Sequence, residues 1–179
     1  MIINKEKYTW DDYQSWEEGA RYELIDGGLY TMVPAPTVIH QWMLGRLFVK
    51  FSIYLANRTE EVFLAPFDVK LSDNTVFQPD LCILCDLSKI SNGKYCDGMP
   101  EMVIEILSPS SVKMDRKLKL EKYREYGIKE YWIVYPKEQF IEVFIFDGVN
   151  EEYMTYTSED SIKVSIFEDC VIDLKEIFI

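Results

Sequence analysis

Between Thr37 and about Asn57, the apolar residues Met43, Leu44, Leu47, Phe48, Phe51 and Leu55 recur at steps of three and four, which predicts an amphipathic helix. Pro34 and Pro36 place a loop before it. Other stretches change period. Arg21 to Asp26 alternates, Gly27-Gly28 follows, and Leu29 to Val33 continues, which predicts a β-hairpin with a glycine turn. Val62 to Leu71 and Thr75 to Cys85 read as the arms of a second hairpin around Ser72-Asp73-Asn74. Residues 86–100 read as a loop, and a strand covers Met102 to Leu107.

Ser108-Pro109-Ser110-Ser111 breaks that strand and offers an N-cap for a helix running to about Gly127, itself a C-cap residue. Glu130 to Tyr135 is an apolar strand closed by Pro136, Phe140 to Phe146 is another with Asp147-Gly148 as its turn, and Glu152 to Thr157 pairs back. Near the start, Thr9-x-x-Asp12 has the form of a capping box and opens a short helix to about Gly19. Strand, helix and strand from Met102 to Val134 make a βαβ unit, whose right-handed crossover sets the two strands parallel. With antiparallel hairpins on either side, the expected fold is α/β: a mixed central sheet flanked by helices.

The chain has 179 residues with 48% apolar and 15% aromatic side chains, which suits one globular domain with a sizeable core. No apolar run approaches the ~18 residues that cross a bilayer, and the first residues lack the layout of a signal peptide. A soluble cytoplasmic protein is the expectation. Cys82 and Cys85 form a Cys-x-x-Cys, but a spacing of three on one strand points the two to opposite faces. No nearby histidine or second pair completes a zinc set, so the four cysteines read as free thiols.

Two carboxylates interrupt otherwise buried stretches. Asp80 follows Thr75-Val76-Phe77-Gln78-Pro79 and precedes Leu81-Cys82-Ile83-Leu84, and Glu105 lies between Ile104 and Ile106. Acids are almost never fully buried unless paired or bound to a metal. Two on neighbouring strands suit a hard divalent cation, which activates water against a phosphodiester. The formal net charge of −12 argues the other way, since nucleic-acid binding usually carries a basic footprint. That charge is uneven: Lys113 to Lys129 holds seven basic residues against three acids, directly after the second carboxylate strand. A solvated amphipathic helix is the bland alternative.

In order and spacing, Tyr22-Glu23-Leu24-Ile25-Asp26-Gly27, His40-Gln41, Ala65-Pro66, Gln78-Pro79-Asp80, Glu105-Ile106-Leu107-Ser108-Pro109-Ser110, Asp115-Arg116 through Lys119 to Tyr123, and Glu130-Tyr131-Trp132-Ile133-Val134 resemble the PD-(D/E)XK nuclease superfamily. More closely, they resemble the bacterial "putative restriction endonuclease" family of the Uma type. The resemblance implies two acids on adjacent strands beside a crossover helix. It also implies Mg²⁺- or Mn²⁺-dependent hydrolysis of DNA, and a homodimer. It assigns the metal to Asp80, Glu105 and the Ile106 carbonyl, with Glu23 as a further carboxylate and His40, Asp115 and Arg116 as substrate contacts.

The chain departs from the superfamily pattern at one place. The motif lysine two residues after the second acid is Leu107 here, so the role passes by resemblance to Lys119, with Lys113, Lys117 and Lys122 as alternatives. Asp115 and Lys119 also fit a plain helical ion pair at i, i+4. Glu23 fits a solvent-facing strand position, and His40 fits a capping or surface position. Tyr123, Tyr126, Tyr131 and Trp132 read as core. Two alternatives to the endonuclease stay open. One is a catalytically silent relative acting as a dimeric nucleic-acid-binding or structural module. The other is a phosphoesterase acting on a small nucleotide.

Overall fold

In the computed structural model, residues 6–16, 21–31, 35–108 and 114–178 are described. The chain opens with α1 (Trp10–Gln14), capped by the Thr9/Asp12 box. It stops short of the expected Gly19 because Ser15 Oγ donates to the Asp12 carbonyl (2.6 Å), a local bond that competes with another helical turn. The first hairpin forms as expected from β1 (Tyr22–Ile25) and β2 (Gly28–Thr31). Gly27 supplies the positive φ of its turn. Helix α2 (Val38–Leu55) follows, with the Thr37 hydroxyl accepting from the His40 N–H.

The second hairpin forms but divides between two sheets. β3 (Glu61–Leu64) pairs with β6 (Leu81–Leu84), while β4 (Val69–Ser72) pairs with β5 (Thr75–Phe77) in a different sheet. Pro66 and Pro79 sit at the two breaks, where neither can donate to a ladder. The expected loop at 86–100 contains a 3₁₀ turn and the short strands β7 (Ile90–Ser91) and β8 (Tyr95–Asp97). β9 (Met102–Ile106) and β10 (Glu130–Tyr135) pair in parallel, as the βαβ reading requires. The crossover between them differs from the expected regular helix. It is a π-helical stretch over Met114–Lys119 followed by α3 (Leu120–Glu125). The cap read at 108–111 falls largely outside the described residues.

β11 (Phe140–Phe146) and β12 (Glu151–Thr157) complete a six-stranded mixed sheet in the order β12-β11-β10-β9-β6-β3. The second sheet runs β2-β1-β5-β4-β8-β7, and β13 (Ser161–Lys163) pairs with β14 (Val171–Asp173) near the end. One face of the central sheet packs Leu81, Ile83, Met102, Ile104, Trp132 and Val134 against Met43, Leu44, Leu47 and Phe51 of α2. The other face packs Cys82, Val103, Tyr131 and Ile133 against Tyr123 of α3 and Phe77, Val69 and Ile25 of the second sheet. Buried carboxylates therefore arise where the two sheets and the crossover helix converge. Among the described residues, no helix is long and apolar enough to cross a membrane.

Candidate active site

Period-two alternation decides which face each acid takes. Glu105 on β9 lies opposite Ile133 on β10, which lies opposite Glu142 on β11, so both glutamates share the face covered by the crossover. Asp80 precedes β6, whose Leu81 registers with Ile104. The Asp80 N–H donates to Glu105 Oε2 (3.4 Å), and Asp80 Oδ2 accepts the Ile106 N–H (2.7 Å). His40 Nε2 lies 3.0 Å from the same oxygen. Among the described residues, Asp80 Oδ1 accepts no hydrogen bond and His40 Nδ1 is buried without a partner.

Lys119 closes the cluster from the end of the π turn. Its Nζ lies 2.8 Å from Glu23 Oε1, 2.9 Å from Glu105 Oε1 and 3.4 Å from Asp115 Oδ1. Glu23, Glu105, Asp115 and Lys119 are each 3% exposed, and Asp80 is 8% exposed. Position 107 faces the same side as Glu105 and is filled by buried Leu107 in the apolar cluster, so the ammonium arrives from the helix instead. The π stretch presents Asp115 and Lys119 together, in keeping with the functional use of such irregular turns.

Electrostatics follow from burial. Removal from water raises the Glu105 carboxyl well above its usual range; Lys119 pulls it back down, while Asp115, Asp80 and Glu23 push it further up. Glu23 is raised for the same first reason, against the opposing pull of Lys119. Burial works against the Lys119 charge, yet Glu105, Glu23 and Asp115 together hold its proton well above the ordinary lysine range. One ammonium cannot balance three buried carboxylates, so Lys119 keeps its proton while Glu23 and Glu105 are each drawn toward holding one.

Arg116 lies apart from this cluster. Its guanidinium donates to both oxygens of buried Glu142 (3.2 and 2.8 Å), which also accepts the hydroxyls of Tyr135 and Tyr153 (2.7 Å each). The neighbouring cations of the crossover are also engaged internally: Lys122 with Asp26 and Glu125, Arg124 with Glu151. The basic stretch is thus largely a set of intramolecular pairs.

Glu23 is buried rather than solvent-facing, and the ring of His40 lies on Asp80. Of Ile106, it is the N–H that contacts Asp80. The sequence reading missed the hydrogen-bonding roles of two residues. Tyr123 packs in the core as expected, but its hydroxyl also donates to Glu105 Oε1 (2.9 Å). The Gln78 N–H donates to Glu23 Oε1 (3.1 Å). The signal for Tyr123 was its place four residues after Lys119, on the same helix face.

The donor set suits a hard cation, since Mg²⁺ commonly takes one or two protein carboxylates and fills its remaining positions with water and phosphate oxygen. Among the described residues, no three His, Cys, Asp or Glu side chains form a metal cage by themselves. Nor do the four free cysteines make a zinc site.

A family model for Uma2, described as "Putative restriction endonuclease", matches residues 10–175. No curated protein matches the chain. Among solved structures the chain is similar to one from Anabaena variabilis described as "a putative nuclease belonging to DUF820". The identity is 19%, the match covers 95% of this chain and 97% of that chain, and the TM-score is 0.78. At that identity the likeness speaks for the fold.

Proposed function

Because the chain belongs to this restriction endonuclease family, a nuclease family by description, we propose that it is a metal-dependent endonuclease that hydrolyses DNA phosphodiester bonds at Asp80 and Glu105 with help from Lys119. The observation that carries this reading is the convergence of Lys119 Nζ on Glu105 (2.9 Å) beside Asp80, although the usual motif lysine is absent. Asp80 and Glu105 would hold Mg²⁺ or Mn²⁺, with the Ile106 carbonyl and Glu23 as further oxygen ligands. Bound there, such an ion supplies Lewis acidity that lowers the pKa of water and offsets charge on the phosphate.

The chain's own residues have distinct tasks. His40 and the Ile106 N–H hold Asp80 through Oδ2, which leaves Oδ1 to face incoming groups. Tyr123 and Lys119 hold Glu105 through Oε1. The Lys119 ammonium is a fixed positive charge for developing negative charge on the phosphate. Asp80 is the most exposed of the acids in the cluster, so substrate approaches from its side, with His40 lining the entry. Arg116 would contact DNA only after leaving Glu142, and Asp115 acts through Lys119. Cutting both strands is simplest with two-fold symmetry, so a homodimer belongs to this proposal. So does a cytoplasmic location, which suits four free thiols.

The test is nicking of supercoiled plasmid with Mg²⁺ or Mn²⁺. Wild type cleaves, while Asp80→Ala and Glu105→Ala lose about 10²–10³-fold with circular dichroism unchanged. Full activity in both variants would overturn the reading. One observation favours a silent relative: the Lys119 ammonium already occupies the Oε1 atoms of Glu23 and Glu105. Calorimetry with Mn²⁺ separates the two, since a complete absence of binding supports the silent form.

A further inference from the structure

Helix α2 is apolar on both sides. Its inner face carries Met43, Leu44, Leu47, Phe51 and Leu55 in the core. Its exposed positions are Val38, Gln41, Trp42, Gly45, Val49 and Ile53, and none is charged. A helix of this kind calls for cover on its second face. At 100° per residue, Val38, Trp42, Gly45, Val49 and Ile53 fall in one stripe about 22 Å long. Val38 is 65%, Trp42 55%, Val49 51% and Ile53 71% exposed.

The stripe is palindromic. Trp42 and Val49 are equally far from the midpoint between Gly45 and Arg46, and so are Val38 and Ile53. An isologous contact requires this arrangement, in which one position meets a second and the second meets the first. We propose that the outer face of α2 is an interface with a second copy of this chain, the two helices crossing antiparallel about a two-fold axis at Gly45–Arg46. Trp42 then packs on Val49 of the second copy, and Val38 on its Ile53. A Cβ added at Gly45 would meet nothing within 4 Å in its own chain, so the space over the axis is open to the second backbone.

Area and charge both favour a second copy. The four apolar side chains expose on the order of 500 Å² per protomer, the size of patch that is commonly functional. Doubled by symmetry, the buried area reaches about 1,000 Å², the lower bound for a specific interface. Two chains of net charge −12 repel, and they meet most cheaply through this face, where the acid beside the stripe, Glu176, is paired with Lys50. The helix carries no Asp or Glu. Its two flanking cations are held back against the C-terminal segment. Arg46 donates to the carbonyls of Ile177 and Phe178 (3.2 and 3.3 Å), and Lys50 pairs with Glu176.

Sedimentation equilibrium on the full chain at tens of micromolar tests this without reference to cleavage, so failure of the nuclease reading leaves it standing. Wild type is expected at twice 21.1 kDa, and Gly45→Arg and Trp42→Glu at 21.1 kDa. Gly45→Arg projects into open space, so its melting temperature and circular dichroism stay at wild-type values if the fold alone is concerned. Oxidised Gly45→Cys links into a covalent dimer across the axis. Val38→Cys does not, because its two copies lie about 22 Å apart at 1.5 Å per residue. A wild-type monomer, a dimer that survives Gly45→Arg, or equal cross-linking of Val38→Cys would overturn the proposal.

Discussion

Replacing Lys119 by methionine keeps a stem of similar length but removes the cation that faces Glu23, Glu105 and Asp115 at 2.8, 2.9 and 3.4 Å. The three acids are left in a pocket where all are 3% exposed. Removing one partner of a buried charge cluster typically costs about 3–5 kcal/mol at neutral pH. For a domain of this size each kcal/mol moves Tm by about 2–4 °C, so the drop is on the order of 10 °C. The sign with pH follows from linkage. Glu23 and Glu105 have raised folded pKa values, and Lys119 is what pulls them down, so its loss raises them further. A carboxylate with a raised folded pKa contributes stability that is fully present below its ordinary value of 4.5 and is lost as pH rises through the folded value. The deficit of Lys119→Met should therefore be small near pH 4.5 and should grow toward pH 7.5. Urea denaturation across that range measures it. A variant as stable as wild type at pH 7.5, or a deficit that shrinks as pH rises, would refute the cluster described here.

Further outcomes are expected elsewhere in the molecule. Glu130 is buried and accepts from Trp132 Nε1, from the N–H and hydroxyl of Ser165 and from the Ile166 N–H, so Glu130→Ala should cost about 2 kcal/mol by orphaning the buried Trp132 N–H and releasing the 165–166 turn, read in urea melts. Arg116→Ala leaves Glu142 with two tyrosine hydroxyls and removes a half-exposed partner, for about 1 kcal/mol; a loss of 3 kcal/mol or more in the same assay would contradict it. Burial pushes the Cys85, Cys96 and Cys170 thiols up to about 11, so alkylation of the folded protein at pH 8 should be slow and should accelerate on unfolding.

Much of this protein was legible in its sequence because the signals were local. Step-three-and-four spacing delimited α2, the Thr9/Asp12 box began α1, and strand-helix-strand predicted the parallel pair β9 and β10. Asp80 and Glu105 stood out because an acid inside an apolar strand demands an explanation. Other features depend on contacts between residues distant in sequence. The split of the second hairpin across two sheets needed both prolines to fall at one level of the two arms. The burial of Glu23, the seat of His40 on Asp80 and the hydroxyl of Tyr123 on Glu105 are side-chain meetings that no spacing encodes. The basic stretch shows the limit most clearly. Its sequence counts charges, but only the packing decides that Lys119 turns inward to three acids while Arg116 turns to Glu142. Periodicity fixes which face a residue occupies. Which groups share that face is decided when desolvation forces each buried charge to find a partner.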